Sequence, residues 1–282
     1  KWKAAFIRGQ GARIWDANGN EFLDMYGGHC VTLTGHCHPY WVKAVSSQLE
    51  KLVFYSNVAY NDQRALFQKR LAGFAPSHLS KVFLCNSGAE ANETAVKMAI
   101  KATGMRPNVI AMQDGFHGRT AGAMSLTHLG NYRKQFPSVV RETTAVPFGD
   151  LNALEAALDN NTAAVILEPI QSMAGVNMAE SSYYKDLVTL CHKNGTLVIF
   201  DEIQTGFGRL GTPFAADYFG AEVDFLTLAK GIGNGIPMGA VVTTDKAAST
   251  AVVGEQGTTF GGGPVACAAG NAVLDIIENE DL

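Results

Sequence analysis

The fold class is decided by a stretch that reads KVFLCNSGAEAN and covers residues 81–92. Residues 81–85 are mostly apolar and include β-branched and aromatic side chains, which predicts a strand. Ser87 with Glu90 three residues later matches a capping box, which predicts that a helix begins there. A buried strand that runs directly into a helix is typical of an α/β protein.

The same alternation of strand and helix continues along the rest of the chain. Further apolar runs of strand length cover residues 109–112, 145–147, 163–167, 196–200 and 225–228. Helical periodicity separates several of them, at residues 150–158 and 183–192. Continuous apolar strands alternating with amphipathic helices predict a mostly parallel central sheet with helices on both faces. In such sheets ligands bind beyond the carboxyl ends of the strands, so we expect chemistry just after each apolar run.

Composition and charge exclude several classes of protein. The 282 residues carry 22 Lys and Arg against 26 Asp and Glu, and this net charge of −4 argues against a nucleic-acid-binding protein. Hydrophobic residues make up 47%, which excludes a disordered chain. No apolar run approaches the roughly 20 residues that a membrane helix needs, and residues 1–6 show no signal-peptide core. Five thinly spread cysteines predict reduced thiols in a cytoplasmic protein. The chain starts without Met, so we expect a longer gene product.

Two acidic residues, Asp201 and Glu202, directly follow the apolar run at 196–200. A carboxylate at the end of a buried strand is unfavourable unless it has a partner, so we expect a cationic or metal partner there. A structural salt bridge is the alternative interpretation.

A lysine in an unusual setting follows the apolar run at 225–229. Lys230 precedes a glycine-rich segment, residues 231–235, which offers the lysine stem little apolar surface to lie on. Burial would lower the pKa of this amine and leave it nucleophilic towards carbonyl groups. A surface lysine with its stem along apolar groups is the alternative.

Gly88 and Ala89 open the helix predicted after residues 81–85. They leave the first-turn N–H groups unobstructed, which favours a phosphate site at the helix N-terminus and is equally compatible with an ordinary capped helix. The strand ends therefore offer a phosphate site, a carboxylate and an isolated lysine. Pyridoxal phosphate (PLP) needs all three.

Two further motifs do not support the functions that they suggest. Residues 206–211 match G-x-G-x-x-G, but Asp201 and Glu202 stand where a pyrophosphate would bind and Pro213 follows, which argues against nicotinamide binding. Five possible metal ligands fit no standard zinc spacing, and we expect no metal site among them: His29, Cys30, His36, Cys37 and His38.

The sequence resembles the class-III aminotransferases of PLP fold type I, most closely the acetylornithine and ornithine aminotransferase group. The likeness spans nearly the whole chain. Its motifs are GHCHP at 35–39, NSGAEAN at 86–92, FHGRT at 116–120, EPIQ at 168–171, DEIQTGFGR at 201–209, AKG at 229–231 and GTTFGG at 257–262.

The resemblance implies a role for each residue that would hold the cofactor. Lys230 would form the Schiff base with PLP and move the substrate proton. Asp201 would pair with the ring nitrogen, Gln204 would reach the ring hydroxyl and Phe116 would stack on the ring face. The full expected cofactor-binding set is Ser87, Gly88, Ala89, Phe116, His117, Glu168, Asp201, Gln204, Lys230 and Thr259.

The resemblance also implies where substrates and a second subunit meet the site. Arg119 is the expected contact of a substrate carboxylate, because a guanidinium binds carboxylates through two hydrogen bonds. Thr258 is expected near the substrate. Thr259 is expected to reach the phosphate of the neighbouring subunit's cofactor, which implies a homodimer with shared active sites.

The chain departs from the ornithine-type pattern at two points. After residues 168–171 those relatives continue with Gly-Glu, and the glutamate is tied to a switching arginine in a C-terminal domain; this chain has Ser-Met at 172–173. The family also continues into a small C-terminal domain that is absent here. We therefore expect residues 31–282 to form the large PLP-binding domain. Residues 1–30, with a β-hairpin around Asn18-Gly19, would pack with the small domain.

These observations predict a PLP-dependent transaminase that moves an amino group from an ω-amino acid, such as acetylornithine or ornithine, to 2-oxoglutarate. Its partners would be this amino donor and the 2-oxo acid acceptor, without nucleic acid or membrane. An aminomutase, a decarboxylase or a lyase of the same fold stays open, because the reaction depends on how the substrate is oriented over the ring. A nicotinamide-dependent dehydrogenase or a non-catalytic binding domain is a distant alternative.

Overall fold

A seven-stranded sheet forms the centre of the protein in a computed structural model that describes residues 3–282. The strands in chain order are Phe6–Gln10 (β1), Arg13–Asp16 (β2), Glu21–Leu23 (β3), Lys81–Cys85 (β4), Asn108–Met112 (β5), Thr144–Val146 (β6), Thr162–Leu167 (β7), Ile170–Gln171 (β8), Asn177–Met178 (β9), Leu197–Asp201 (β10), Phe225–Leu228 (β11) and Gly239–Thr243 (β12). The helices are Gly27–Cys30 (α1, a single irregular turn), Pro39–Lys51 (α2), Asp62–Phe74 (α3), Gly88–Ala102 (α4), Ala121–Leu126 (α5), Leu151–Ala157 (α6), Ser181–Lys193 (α7), Ala215–Phe219 (α8), Asp245–Ala248 (α9) and Pro264–Asn279 (α10). None of these helices is long and apolar enough to cross a membrane.

The central sheet has the strand order β4-β12-β11-β10-β7-β5-β6. Strand β10 pairs in parallel with β7 and β11, and β5 pairs in parallel with β6 and β7. Strand β12 runs antiparallel between β11 and β4. The predicted mostly parallel sheet is confirmed. Strand β12 is not among the predicted strands, because a short 3-10 turn, Lys230–Gly233, rather than an amphipathic helix separates it from β11.

Both faces of the central sheet are covered by apolar side chains. In β10, Val198 and Phe200 belong to a core cluster that includes Tyr184 of α7. Ile199 faces the other way, into a cluster that includes Ala95 of α4. Because both faces of the strand are buried, its sequence is continuously apolar rather than alternating.

The N-terminal segment is a three-stranded antiparallel sheet rather than the predicted hairpin alone. Strands β2 and β3 pair across the predicted Asn18-Gly19 turn, and β1 adds a third strand beside β2. Asp16 Oδ1 accepts the backbone N–H groups of Asn18 and Asn20, each at 2.9 Å, which stabilises the turn. Residues 1 and 2 of the predicted N-terminal segment lie outside the described residues.

Candidate active site

Nine of the predicted site residues line one cavity of about 300 Å³, which we call the Lys230 cavity. They end or follow strands β4, β5, β7, β10 and β11, which point the same way, so they meet at the carboxyl ends of these strands. The nine residues are Gly88, Ala89, Phe116, His117, Arg119, Glu168, Asp201, Gln204 and Lys230. Segments that lie up to 142 positions apart in the sequence therefore form one site.

Lys230 begins a short 3-10 turn, Lys230–Gly233, directly after β11. Its backbone φ is +50°, a left-handed conformation that a residue with a side chain adopts at a cost of about 1 kcal/mol or more. Burial lowers the pKa of the amine, and the charges of Asp201 and Glu168 partly oppose this effect. The amine is thus more easily deprotonated than that of a surface lysine, as the sequence predicts.

Asp201, the last residue of β10, accepts hydrogen bonds through both carboxylate oxygens. Oδ2 accepts from Asn92 Nδ2 and lies beside Nδ1 of His117, each at 2.8 Å. Oδ1 accepts from the backbone N–H of Ile203 at 3.2 Å. Where the sequence predicts a cationic or metal partner, the structure places an imidazole and an amide, and no group of three metal-type ligands occurs within residues 3–282.

Two buried polar residues behind Asp201 are missing from the sequence-based predictions of site residues. Asn92 of α4 and Thr227 of β11 are both 0% exposed. The Thr227 hydroxyl donates to Asn92 Oδ1 at 2.6 Å, and Asn92 Nδ2 also donates to the His117 carbonyl at 2.8 Å. The sequence does contain a signal for them, because Asn92 is a polar residue on the apolar face of its helix and Thr227 interrupts an apolar strand.

Phe116 is held at the cavity by its backbone. Its N–H donates to Glu168 Oε1 at 2.8 Å. Burial, together with the charge of Asp201, raises the pKa of Glu168 above its ordinary value. The Phe116 ring meets Tyr132 edge to face, with ring centroids 5.9 Å apart.

Arg119 is exposed at the rim of the cavity. Its guanidinium carbon lies 4.3 Å from the ring centroid of Tyr132, a cation–π contact. A guanidinium that stacks on an aromatic ring in this way can still bind a carboxylate through its N–H groups. Tyr132, which is not among the site residues predicted from the sequence, contacts both Arg119 and Phe116.

The N-terminus of α4 has the backbone geometry of an anion site. Ser87 Oγ caps the helix by accepting the Glu90 N–H at 3.2 Å, as predicted. The Glu90 carboxylate accepts the N–H of Asn86 at 2.5 Å instead of the predicted Ser87 N–H, so the capping box is only half formed. Gly88 and Ala89 are first-turn residues, whose N–H groups have no partner within a helix.

Close packing at this end of the cavity requires a glycine beside Ala89. Gly118 has a φ of +136°, and a Cβ placed there would lie 2.8 Å from the Cβ of Ala89. Any larger residue would therefore push the FHGRT loop away from the first turn of α4.

Thr258 and Thr259 do not reach the Lys230 cavity. They line a second cleft of about 740 Å³, together with Asn86, Phe54 and Phe260, which we call the Thr258 cleft. Thr258 Oγ1 accepts from Asn86 Nδ2 at 2.9 Å. Within one chain the two threonines thus line a different cleft from Lys230. The expectation for Thr259 concerns the cofactor of the neighbouring subunit, so it stays a prediction.

Glu202 points away from the cavity, and its role differs from that of Asp201. Its carboxylate accepts the N–H groups of Ala215 and Ala216 at 2.8 Å and the Thr205 hydroxyl at 2.7 Å, so it anchors the start of α8. Burial outweighs these donors and raises the pKa of Glu202 to about 7. The predicted cationic partner is therefore wrong for Glu202.

The two other motifs are used structurally. Residues 206–211 form turns and bends, and the next helix begins only at Ala215, so the glycines of the G-x-G-x-x-G pattern do not open a helix. His36 Nε2 pairs with Asp24 at 2.7 Å, and His38 Nε2 pairs with Glu280 at 2.8 Å.

Comparison with known proteins decides the family. The profile of the family described as "Aminotransferase class-III" matches residues 2–282. The chain belongs to the class-III aminotransferases. It is 44% identical over 282 residues to the acetylornithine aminotransferase of Methanopyrus kandleri, covering 100% of this chain and 72% of that protein.

Solved structures of an ornithine aminotransferase and an amine transaminase share the fold. The ornithine aminotransferase of Toxoplasma gondii ME49 matches with a TM-score of 0.95 at 34% identity, over 100% of this chain and 68% of that one. A PLP-bound amine transaminase from an uncultivated Pseudomonas species matches with a TM-score of 0.92 at 30% identity, over 99% of this chain and 72% of that one. The predicted PLP fold type I is confirmed.

PLP is the cofactor of class-III aminotransferases, and the Lys230 cavity fits it. The cavity presents a desolvated amine at Lys230 and a carboxylate at Asp201. The open first turn of α4 supplies N–H donors for a phosphate. Gly118 leaves the space beside that turn that a Cβ would fill. These features match the aldehyde, the ring nitrogen and the phosphate of PLP.

Proposed function

We propose that the protein is a transaminase that moves an amino group from an ω-amino acid, of the acetylornithine or ornithine type, to 2-oxoglutarate. The observation that carries this proposal is the desolvated Lys230 amine in one cavity with the Asp201 carboxylate, at the ends of neighbouring strands β11 and β10. The acetylornithine aminotransferase relative supports the choice of amino donor.

PLP, when bound, supplies an electrophilic carbonyl group and an electron-accepting ring. Lys230 would hold the carbonyl group of PLP through Nζ until a substrate amine takes its place, and the freed Nζ would then accept and return the substrate proton. Asp201 holds a proton on the ring nitrogen through its carboxylate, whose position is fixed by hydrogen bonds to Asn92 and His117. Phe116 covers a face of the ring and so excludes water from it.

The remaining residues of the proposed site bind and orient. Gly88 and Ala89 bind the phosphate through backbone N–H groups, with Ser87 capping the same helix. Arg119 binds a substrate carboxylate from its position on the Tyr132 ring. Three further residues complete the proposed set, namely Gln204 at the ring hydroxyl, His117 behind Asp201, and Glu168, which fixes the Phe116 backbone.

We also propose a homodimer in which Thr259 serves the partner subunit's cofactor and Thr258 lies near its substrate. The Thr258 cleft, which is separate from the Lys230 cavity, is lined by two exposed aromatic rings that a second copy would cover. These are Phe54 and Phe260, 39% and 67% exposed with ring centroids 5.5 Å apart.

Hybrid dimers of Lys230→Ala and Thr259→Ala subunits test this arrangement. Each hybrid should contain one intact site, so its activity should rise above that of either parent. No regain in confirmed hybrids would place the phosphate contact within one chain.

The proposed domain division assigns residues 31–282 to the large cofactor domain and residues 1–30 to a segment that packs against a further domain. Ile7 and Leu23 of this segment are 72% and 57% exposed, as expected for side chains that a further domain covers.

A donor panel on the PLP-loaded full-length protein tests the proposed reaction. Acetylornithine or ornithine alone should convert the bound cofactor to its amine form, seen by absorbance, and 2-oxoglutarate should then restore the original spectrum and yield one glutamate per site. Lys230→Ala is the control and should do neither. Release of carbon dioxide, or an isomerised amino acid without glutamate, would instead support a decarboxylase or an aminomutase.

A further inference from the structure

We propose that Asn92, oriented by the Thr227 hydroxyl, is a positioning residue that directs the Asp201 carboxylate towards the ring nitrogen of PLP. This inference rests on the proposed function. Its basis is a chain of short hydrogen bonds between residues that are 0% to 4% exposed: Thr227 Oγ1 to Asn92 Oδ1 at 2.6 Å, and Asn92 Nδ2 to Asp201 Oδ2 at 2.8 Å.

The acceptors around Asn92 determine the orientation of its amide. One edge faces two groups that can only accept, the Asp201 carboxylate and the His117 carbonyl, each at 2.8 Å. That edge must be the NH₂ group, which donates both of its protons there. The amide oxygen is then on the Thr227 side, so the hydroxyl must be the donor. A threonine or serine meets this requirement at position 227, and a valine of the same shape does not.

The same bonds determine which oxygen of the Asp201 carboxylate can accept a further hydrogen bond. Oδ2 of Asp201 is engaged by both Asn92 and His117 at 2.8 Å. Oδ1 accepts one longer bond, 3.2 Å from the Ile203 N–H, so it can accept from a further donor in the cavity. Asp201 lines that cavity. Asn92 thus fixes one oxygen of the carboxylate and leaves the other for the cofactor.

The test compares Thr227→Val with its matched control Thr227→Ser, using cofactor binding to the apoprotein as the readout. Each protein is titrated by tryptophan fluorescence with PLP and with 1-deazapyridoxal phosphate, in which a CH group replaces the ring nitrogen. Thr227→Val should weaken PLP binding about tenfold, as expected when a hydrogen bond to a charged group is disturbed, and change binding of the deaza compound less than about twofold. Thr227→Ser should bind both compounds like the wild type. Asn92→Ala is a second variant, with the same selective loss expected.

Other outcomes separate the inference from the proposed function. Equal losses for both compounds in Thr227→Val and Asn92→Ala would show a purely structural role and overturn the inference. Unchanged PLP binding in both variants would also overturn it. A wild-type protein that binds neither compound would overturn the proposed function itself. Equal affinity of the wild type for PLP and for the deaza compound would overturn the role of Asp201.

Discussion

Nδ1 of His117 lies 2.8 Å from Oδ2 of Asp201, and the two side chains are 0% and 3% exposed. Because the carboxylate accepts, Nδ1 carries the proton and donates it. Nε2 is then a buried nitrogen without a hydrogen-bond partner among residues 3–282. His117 therefore acts on the proposed site through Asp201, as a second donor that fixes the carboxylate.

Asp201→Asn should keep some cofactor yet slow the removal of the substrate proton severely. The amide has no negative charge with which to hold a proton on the ring nitrogen. We expect a loss on the order of 10²-fold or more in the pre-steady-state rate, as for other positioned electrostatic groups. Circular dichroism controls for folding. A rate within a factor of a few of the wild type would refute this role.

Glu202 should make the stability of the protein fall as the pH rises. Burial raises the pKa of Glu202 from its ordinary 4.5 to about 7, so folding favours the protonated form. Its contribution to the free energy of unfolding is fully present below about pH 4.5 and is lost as the pH rises through about 7. The loss amounts to about 3 kcal/mol.

Urea unfolding of the wild type and Glu202→Gln checks this prediction between about pH 5 and about pH 8. Glutamine does not titrate, so the stability of the wild type relative to the variant should decrease over this range. A difference that is independent of pH would show that Glu202 keeps its ordinary pKa in the folded protein.

Tyr132→Leu should weaken binding of substrates with a carboxylate. The substitution removes the ring 4.3 Å below the Arg119 guanidinium, a contact worth about 0.5–1 kcal/mol at an exposed site. We expect KM to rise about two- to fivefold with kcat little changed, while Tyr132→Phe, which keeps the ring face, should resemble the wild type. A loss confined to kcat would argue against this role.

Met173→Glu should improve discrimination in favour of ω-amino donors. Met173 follows β8 and is 42% exposed. The resemblance to ornithine-type aminotransferases implies that it stands at the position of their switch glutamate. Methionine offers no charge to a carboxylate-binding arginine, so α-amino donors should compete better in the wild type. The ratio of kcat/KM for ω-amino over α-amino donors should rise on the order of tenfold. An unchanged ratio would show that a residue other than Met173 controls the choice between ω-amino and α-amino donors.

The sequence predicts those parts of the fold that depend on local patterns. Continuous apolar runs predict the parallel strands, because these strands are buried on both faces. The antiparallel strand Gly239–Thr243 escapes prediction, since no helical pattern separates it from the preceding strand Phe225–Leu228. The second half of the capping box fails for a geometric reason, because the Glu90 carboxylate reaches Asn86 rather than Ser87.

The candidate site is predictable from strand ends, whereas its supporting contacts are not. Lys230 and Asp201 stand directly after apolar runs, which is a local signal. The bond from Asn92 to Asp201 joins residues 109 positions apart and depends on how α4 crosses the sheet, which no local pattern records. The Thr258 cleft likewise becomes separate from the Lys230 cavity only in three dimensions.

The proposed function depends first on Lys230 being the amine that binds the cofactor carbonyl. Borohydride reduction of the PLP-loaded protein, followed by peptide mass mapping, identifies that amine. We expect one reduced pyridoxyl group per chain, on the peptide that contains Lys230, and no yellow, reducible adduct in Lys230→Ala. A reduced group on another lysine, or a wild-type-like adduct in Lys230→Ala, would refute the role of Lys230.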